Sequence, residues 1–420
     1  MHFDLEYIYI TEGVEDYLLY NFLTQKFIFV KKDKLPIFIK FITDNISNTD
    51  VEYFFSKKEM QKTKNGIDPI ILVGYGCNYA CDYCYEYTQK GNSDKFTAKM
   101  LDCMDGFYDE YCMLYGVEKK YNSISLVGGE PLLESNRGLI EKVVEKWENI
   151  PIRVSTNGVN IKRFLNIFNG RRCIFNVSLD GIKEIHYKHR HPKENSYYEL
   201  TIEGIREALN CGHSVNIITV YDPMYSTFLK DFLDQLEYLG WPSKNITLRL
   251  IPKLNGSKVS DKAYMKESLG ALAKLISEEK RMKHVDIMKF VPGIQCFISN
   301  NESIYGCQRL QDNDFIFLPD GRVTICHVSG TPILDVGTFF SKININMRKI
   351  ELIRNRNINN LKKCLDCKFR KLCRGGCTAA SVQFENRIEK EFCYYWEDES
   401  WKIAYDTIGY YILKNRIANE

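Results

Sequence analysis

At 420 residues the chain has room for two or three domains. Its 57 Lys and Arg nearly balance 54 Asp and Glu, and a net charge of +3 leaves no footprint for nucleic acid or another polyanion. No apolar run is long enough to span a bilayer, and the opening Met1-His2-Phe3-Asp4-Leu5-Glu6 lacks a signal core, so a soluble, cytoplasmic protein is expected.

In chain order, residues 1–67 read as a small α+β unit. Glu6–Ile10 and Lys26–Val30 have strand composition, and Asp33–Asn45 has a helical apolar side with Pro36 near its first turn. The polar stretch from Ser56 to Gly66 reads as a linker. From Pro69 the pattern alternates strand and helix. The expected strands are Ile70–Gly74, Ser123–Val127, Ile152–Ser155, Ile174–Leu179, Ser214–Val220 and Ile246–Leu250. The first helix between them is capped by Ser93 or Asp94 in this reading, and buries Phe96, Met100, Met104, Phe107, Tyr111 and Leu114. Six β/α units over residues 68–256 imply parallel strands with right-handed crossovers, hence an α/β fold with a partial (β/α)6 TIM barrel open on one side. Residues 257–295 read as a basic helical linker. Residues 296–420 are rich in cysteine and turns, and a closing helix is expected over Glu397–Ile417.

Fifteen cysteines without an export signal point to metal clusters in a reducing compartment rather than to disulfides. Three of them, Cys77, Cys81 and Cys84, are spaced C-x3-C-x2-C directly after the first barrel strand. Thiolates this close can hold three irons of a cubane cluster and leave the fourth iron open to a ligand. Zinc sites usually show paired C-x2-C units, and only half a pair is present. The spacing, with aromatic Tyr83 before the last cysteine, resembles the signature of radical S-adenosylmethionine (SAM) enzymes. The resemblance implies a SAM-binding 4Fe-4S cluster and a 5′-deoxyadenosyl radical that takes hydrogen from the substrate.

Four further clusters end successive barrel strands: Gly128-Gly129-Glu130-Pro131, Ser155-Thr156-Asn157-Gly158, Ser178-Leu179-Asp180-Gly181 and His186 to Arg190. Each alone is an ordinary strand exit. In order on one β/α series they read as a SAM pocket. The resemblance assigns Glu130 to the methionyl ammonium, Ser178 and Asp180 to the ribose side and Arg190 to the carboxylate. Gly128, Gly129 and Asn157 line the pocket, and the backbone at Tyr83 lies near the adenine. Relatives often read His-Asp where this chain reads His186-Tyr187, which sets position 187 apart.

The C-terminal cysteines follow a second pattern: Cys307-x13-Gly321-x4-Cys326, then Cys364-x2-Cys367-x5-Cys373-x3-Cys377-x15-Cys393. A pair of zinc sites would suit part of it. The whole resembles the SPASM domain, a twin-cluster extension of radical enzymes that act on peptides. By that resemblance Cys364, Cys367, Cys373 and Cys393 hold a distal auxiliary 4Fe-4S cluster, and Cys307, Cys326 and Cys377 a nearer one. The nearer cluster is completed by Cys296 or left open for a substrate thiol. Three clusters are thus expected. Cys103, Cys112, Cys173 and Cys211 read as small buried hydrophobes.

Such enzymes resemble maturases of ribosomally made precursor peptides, which form thioether or carbon–carbon crosslinks and take electrons from a reductase, flavodoxin or ferredoxin. They also resemble anaerobic sulfatase-maturating enzymes, which make formylglycine. Residues 1–67 precede the cluster motif and favour the former, because a small sheet can take a leader peptide as an added strand. His327 stands where sulfatase maturases usually place an aspartate base, and histidine can also accept a proton. A non-enzymatic Fe-S electron carrier is the third reading; it needs neither Glu130 nor Arg190.

Overall fold

The computed structural model describes residues 8–12, 15–21, 26–45, 66–86, 91–253, 262–287, 313–326, 332–367 and 374–391, together with residues 305, 307, 370 and 410. Cys296, His327, Cys373 and Cys393 lie outside the described residues, as do the stretch 56–65 and the expected closing helix except for Tyr410.

The N-terminal unit is a three-stranded antiparallel sheet in the order β1 (Ile8–Glu12), β2 (Asp16–Asn21), β3 (Lys26–Lys31), followed by the helix Leu35–Asn45. Strand β2 has no counterpart in the sequence reading. Its adjacent Leu18 and Leu19 are both buried, so no alternation marks it. The reason is that both faces are covered. Leu19 packs with Ile8, Val30, Leu35 and Ile39 under the helix. Across the sheet, Phe29 meets the Tyr410 ring edge-on at 5.5 Å, and the Tyr410 hydroxyl donates to Asp16.

The large sheet has eleven strands in the order β10-β9-β8-β7-β6-β5-β4-β11-β12-β13-β14. Six are the expected parallel strands: β4 (Ile70–Leu72), β5 (Ile124–Val127), β6 (Ile152–Thr156), β7 (Cys173–Ser178), β8 (Ser214–Tyr221) and β9 (Ile246–Pro252). Two short ones extend the parallel run, β10 (Val285–Asp286) beside β9 and β11 (Ile316–Phe317) beside β4. At two residues each they are too short to show a period. Antiparallel β12 (Arg322–Thr324), β13 (Asp335–Thr338) and β14 (Asn344–Ile345) complete the sheet. The architecture is the α/β partial barrel expected, with its cysteine-rich C-terminal region built onto the β4 side.

One face of the parallel strands is apolar and packs on helices. Ile71, Val73, Leu126, Val154, Phe175, Val177, Ile217 and Leu248 belong to one core with Met104, Phe107, Val143, Phe164, Ile205 and Phe232. The first long helix runs Ala98–Tyr115 behind Thr97, not behind Ser93 or Asp94. Residues before it are extended: Lys95 bridges to Gly74, and the Phe96 N–H donates to the Val73 carbonyl at 3.0 Å. Leu114 is exposed, and Tyr108 occupies the core in its place. Cys112 and Cys173 are buried and Cys103 partly so, whereas Cys211 is exposed at a helix end, against expectation. No helix among the described residues is long and apolar enough to cross a membrane.

Candidate functional site

The cysteine loop begins where β4 ends and is clamped from two sides. On one side lies the turn after β5. The Gly129 N–H donates to the Gly74 carbonyl at 2.9 Å, and the Glu130 N–H to the Gly76 carbonyl at 2.8 Å. A Cβ on Gly128 would stand 2.5 Å from the Gly74 oxygen, and one on Gly129 2.4 Å from the Gly76 oxygen. The close approach of two backbones therefore explains the glycine pair. On the other side lies the end of the helix Lys183–Arg190. The Ala80 N–H donates to the Arg190 carbonyl at 3.1 Å, and the Asp82 N–H to the His189 carbonyl at 3.1 Å. Cys77, Cys81 and Cys84 are all partly accessible in this clamp.

Glu130 is buried below the loop and bonded inward. Its Oε1 accepts from the Leu132 N–H at 2.8 Å and the Thr156 hydroxyl at 2.6 Å; its Oε2 accepts from the Asn157 N–H at 2.7 Å. Among the described residues nothing else bonds Oε2, which leaves one of its lone pairs for a ligand cation. Burial raises the Glu130 carboxyl above its usual range, against the pull of these donors and of Arg190. Asn157 is tied to the cysteine loop, its amide donating to Asn78 Oδ1 at 2.6 Å.

Asp180 organises the opposite wall. Arg190 donates to it from Nε at 2.9 Å and Nη2 at 3.3 Å, the Val220 N–H donates at 3.0 Å, and the Tyr83 hydroxyl donates to Oδ2. Burial opposes ionisation of Asp180, but Arg190, His186, Tyr83 and the Val220 N–H together hold its carboxyl below the usual value. The Asp180 N–H donates to His186 Nδ1 at 3.2 Å, so the ring proton sits on Nε2, which donates to the Tyr79 hydroxyl at 3.2 Å. Burial pushes His186 down to about 3, so it stays neutral. Ser178 ends β7 with a half-exposed side chain. Tyr187 turns away, its hydroxyl donating to the Asn195 carbonyl.

Sequence reasoning did not assign the ion pairs behind this wall. Lys253 reaches Asp82 of the cysteine loop at 3.2 Å and Asp222 at 3.3 Å. His189 is 3% exposed and stands 3.6 Å from Asp222 and 3.9 Å from Asp180. It lines a cavity of about 30 Å³ with Asp180, Thr219, Asp222 and Tyr225. Their separation in sequence hid this group, because only the β7, β8 and β9 strand ends bring it together.

The donor set fits a cluster. Three partly accessible thiols share one loop, and the next cysteine in the chain is Cys103. Burial, with Glu130 adding to it at Cys77, pushes the Cys77 thiol up to about 12 and the Cys81 thiol up to about 11. Among the described residues no three metal-binding side chains already converge on one point. In the C-terminal region Cys364 is buried, while Cys307, Cys326, Cys367 and Cys377 are partly accessible. Arg356 is 1% exposed and donates to the Gly375, Gly376 and Lys390 carbonyls, fixing the turn before Cys377. Arg370 and Arg374, which lie between Cys367 and Cys377 in sequence, are buried as well.

Residues 71–226 match the family model of the Radical SAM superfamily. The chain is 24% identical over 336 residues to the cysteine-type anaerobic sulfatase-maturating enzyme of Clostridium novyi (strain NT), across 72% of this chain and 84% of that one. The structure of Streptococcus suis SuiB bound to precursor peptide SuiA superposes with a TM-score of 0.59 at 14% identity, covering 93% of this chain and 98% of that one. Native anSMEcpe with bound AdoMet superposes with a TM-score of 0.62 at 18% identity, covering 83% and 99%. At these identities the structural likeness is one of fold. The Radical SAM match implies SAM and a 4Fe-4S cluster.

Proposed function

We propose, on the premise that the chain carries a radical SAM domain and resembles peptide-modifying radical enzymes, that it abstracts hydrogen from a residue of a ribosomally made precursor peptide and closes a thioether or carbon–carbon crosslink. The observation that carries this reading is the N-terminal sheet-and-helix unit ahead of the cysteine loop. The peptide-bound SuiB fold spans 93% of the chain, against 83% for anSMEcpe. Among the described residues strands β1 and β3 are the edges of the small sheet, so either can accept an added strand.

When bound, the cluster and SAM supply a radical able to remove a hydrogen atom from an unactivated carbon. Cys77, Cys81 and Cys84 would hold the cluster. The free lone pair of Glu130 would take the methionyl ammonium. Arg190 spends its Nε edge on Asp180, so only its terminal Nη1/Nη2 fork remains for the methionyl carboxylate. Ser178 and Asp180 would face the ribose. Tyr83, Gly128, Gly129 and Asn157 shape the walls. Cys307, Cys326 and Cys377, with Cys364, Cys367, Cys373 and Cys393, would hold two auxiliary clusters that accept the surplus electron, and a reductase, flavodoxin or ferredoxin would supply the first one.

Sulfatase maturation is the second reading, favoured by the 24% identity to a cysteine-type sulfatase-maturating enzyme across most of both chains. One experiment separates the two. The anaerobically reconstituted enzyme is incubated with a candidate leader-bearing precursor peptide and, separately, with a sulfatase-derived Cys or Ser peptide. Loss of two hydrogens per crosslink in the first supports maturation. Formylglycine, trapped as a hydrazone in the second alone, overturns it.

A further inference from the structure

The face of the parallel strands turned away from the helices carries an ordered polar row. Ser155 on β6, Asn176 on β7, Asn216 on β8 and Thr247 on β9 stand directly opposite one another in register. Their chain neighbours Val154, Phe175, Val177, Val215, Ile217, Ile246 and Leu248 point into the helix-side core. Hydrogen bonds run along the row in one direction. The Thr247 hydroxyl donates to Asn216 Oδ1 at 2.8 Å, the Asn216 amide to Asn176 Oδ1 at 3.0 Å, and the Asn176 amide to Ser155 Oγ at 3.5 Å.

A packed barrel interior is dominated by Val, Ile and Leu. Here Ser155, Asn176 and Asn216 are half-buried and Thr247 is exposed, so the row is not core. Each asparagine is locked in orientation by its neighbours yet keeps an amide N–H and an acceptor lone pair beyond those the row uses. Adjacent strands lie about 4.8 Å apart, so the row offers fixed amides at that interval. Across the same face the character changes. Ile70, Leu72, Ile316 and Leu318 form a small apolar cluster with Val127 at its edge. The concave face is therefore apolar on β4 and β11 and carries one neutral polar row across β6 to β9, flanked on the same face by Arg153 and Ile174 on one side and by Ile218 and Arg249 on the other.

The row is continuous with the candidate site. Ser155 directly precedes Thr156 and Asn157, which bond Glu130, and Asn176 lies two residues before Ser178 on the same face of β7. A ligand on the row is thus held beneath the mouth where the cysteine loop sits. Neutral, two-way amides suit a polypeptide main chain, which offers N–H and C=O together. The apolar part of the face suits its side chains. We propose that Ser155, Asn176, Asn216 and Thr247 read the main chain of the substrate peptide and hold it against the concave face of the barrel; this rests on the reading of the substrate as a peptide.

The test uses full-length reconstituted enzyme and a fluorescein-labelled candidate leader-bearing precursor peptide. Asn216→Leu removes both faces of one amide at similar volume, and Thr247→Val alters only the exposed end of the row. The expected result is a rise in peptide Kd and KM of about tenfold for Asn216→Leu, the effect of about 1.4 kcal/mol. Thr247→Val raises both by a smaller factor, and Asn216→Gln recovers part of the loss. Peptide-independent cleavage of SAM stays within about twofold of wild type, because among the described residues the side chains of Asn216 and Thr247 bond only within the row and to none of the residues that form the SAM walls. Unchanged peptide affinity in both Asn216→Leu and Thr247→Val overturns the inference. So does a parallel fall in SAM cleavage and thermal stability in Thr247→Val, which would make the row purely a support of the sheet. A wild-type enzyme that cleaves SAM but neither binds nor alters any peptide overturns the substrate reading itself, and this inference with it.

Discussion

Arg190 approaches Asp180 side-on, with Nε 2.9 Å and Nη2 3.3 Å from the carboxylate, and the pair is enclosed at 7% and 1% exposure. The guanidinium is thereby aimed, and its outer fork is presented rather than free to rotate. A buried cation whose partner is removed is left unpaired, which costs about 3–5 kcal/mol. Asp180→Asn should therefore lower folding stability by that order and weaken SAM binding as well. Arg190→Ala should weaken SAM binding by roughly 1.5–3 kcal/mol. Denaturant unfolding and SAM titration on the same preparations separate the two effects. The pH dependence follows from the depressed carboxyl of Asp180. Its contribution is complete above the unfolded value near 3.9 and is lost as the pH falls through the lower folded value. The stability gap between wild type and Asp180→Asn should thus persist at pH 7 and shrink below about pH 4.

Gly129 lies where a methyl group would meet backbone, not a side chain able to turn aside, with Gly76 O at 2.4 Å and Tyr75 O at 2.5 Å. Gly129→Ala must push the cysteine loop away from the turn after β5. The expected outcome is a fall of more than about tenfold in 5′-deoxyadenosine formation, as for a misplaced reacting group. Far-UV circular dichroism should be unchanged. Wild-type rates in that variant would show that the two turns separate freely.

Ten patterned cysteines in two separate regions predict close to twelve irons per chain as three 4Fe-4S clusters. Changing Cys77, Cys81 and Cys84 together to Ala should remove about four irons and all 5′-deoxyadenosine production, leaving the auxiliary clusters in place. Iron and sulfide analysis with electron paramagnetic resonance checks this. Zinc in place of iron in the wild type would contradict it.

Deletion of residues 1–45 removes β1 to β3 and their helix but leaves Ile67, whose backbone bonds to Lys120 and Asn122 in the barrel. The truncated enzyme should keep uncoupled SAM cleavage and lose peptide modification, because the leader loses its docking edge and the core peptide its effective concentration. Mass spectrometry of a leader-bearing precursor reads the difference. Full modification by the truncated enzyme would reduce the unit to a cover for Tyr410, which packs against Phe29.

Local order was legible in the residues themselves. The C-x3-C-x2-C spacing, the glycine pair before Glu130 and the six parallel strands β4 to β9 depend on neighbours a few positions apart. Strand period and turn chemistry report such neighbours directly. Strand β2 escaped because Leu18 and Leu19 are covered on opposite faces, and β10 and β11 because two residues carry no period. What the tertiary structure alone decided is which side chains share a wall. Lys253 joins Asp82 only because β9 ends beside the cysteine loop. His186 takes its tautomer from the Asp180 N–H. The Nε edge of Arg190 is spent on a residue ten positions earlier, which leaves its outer fork. The row Ser155–Asn176–Asn216–Thr247 exists only through register between strands. A slip of one residue in any of them would turn its polar side chain into the helix layer, and nothing in the local sequence states that alignment.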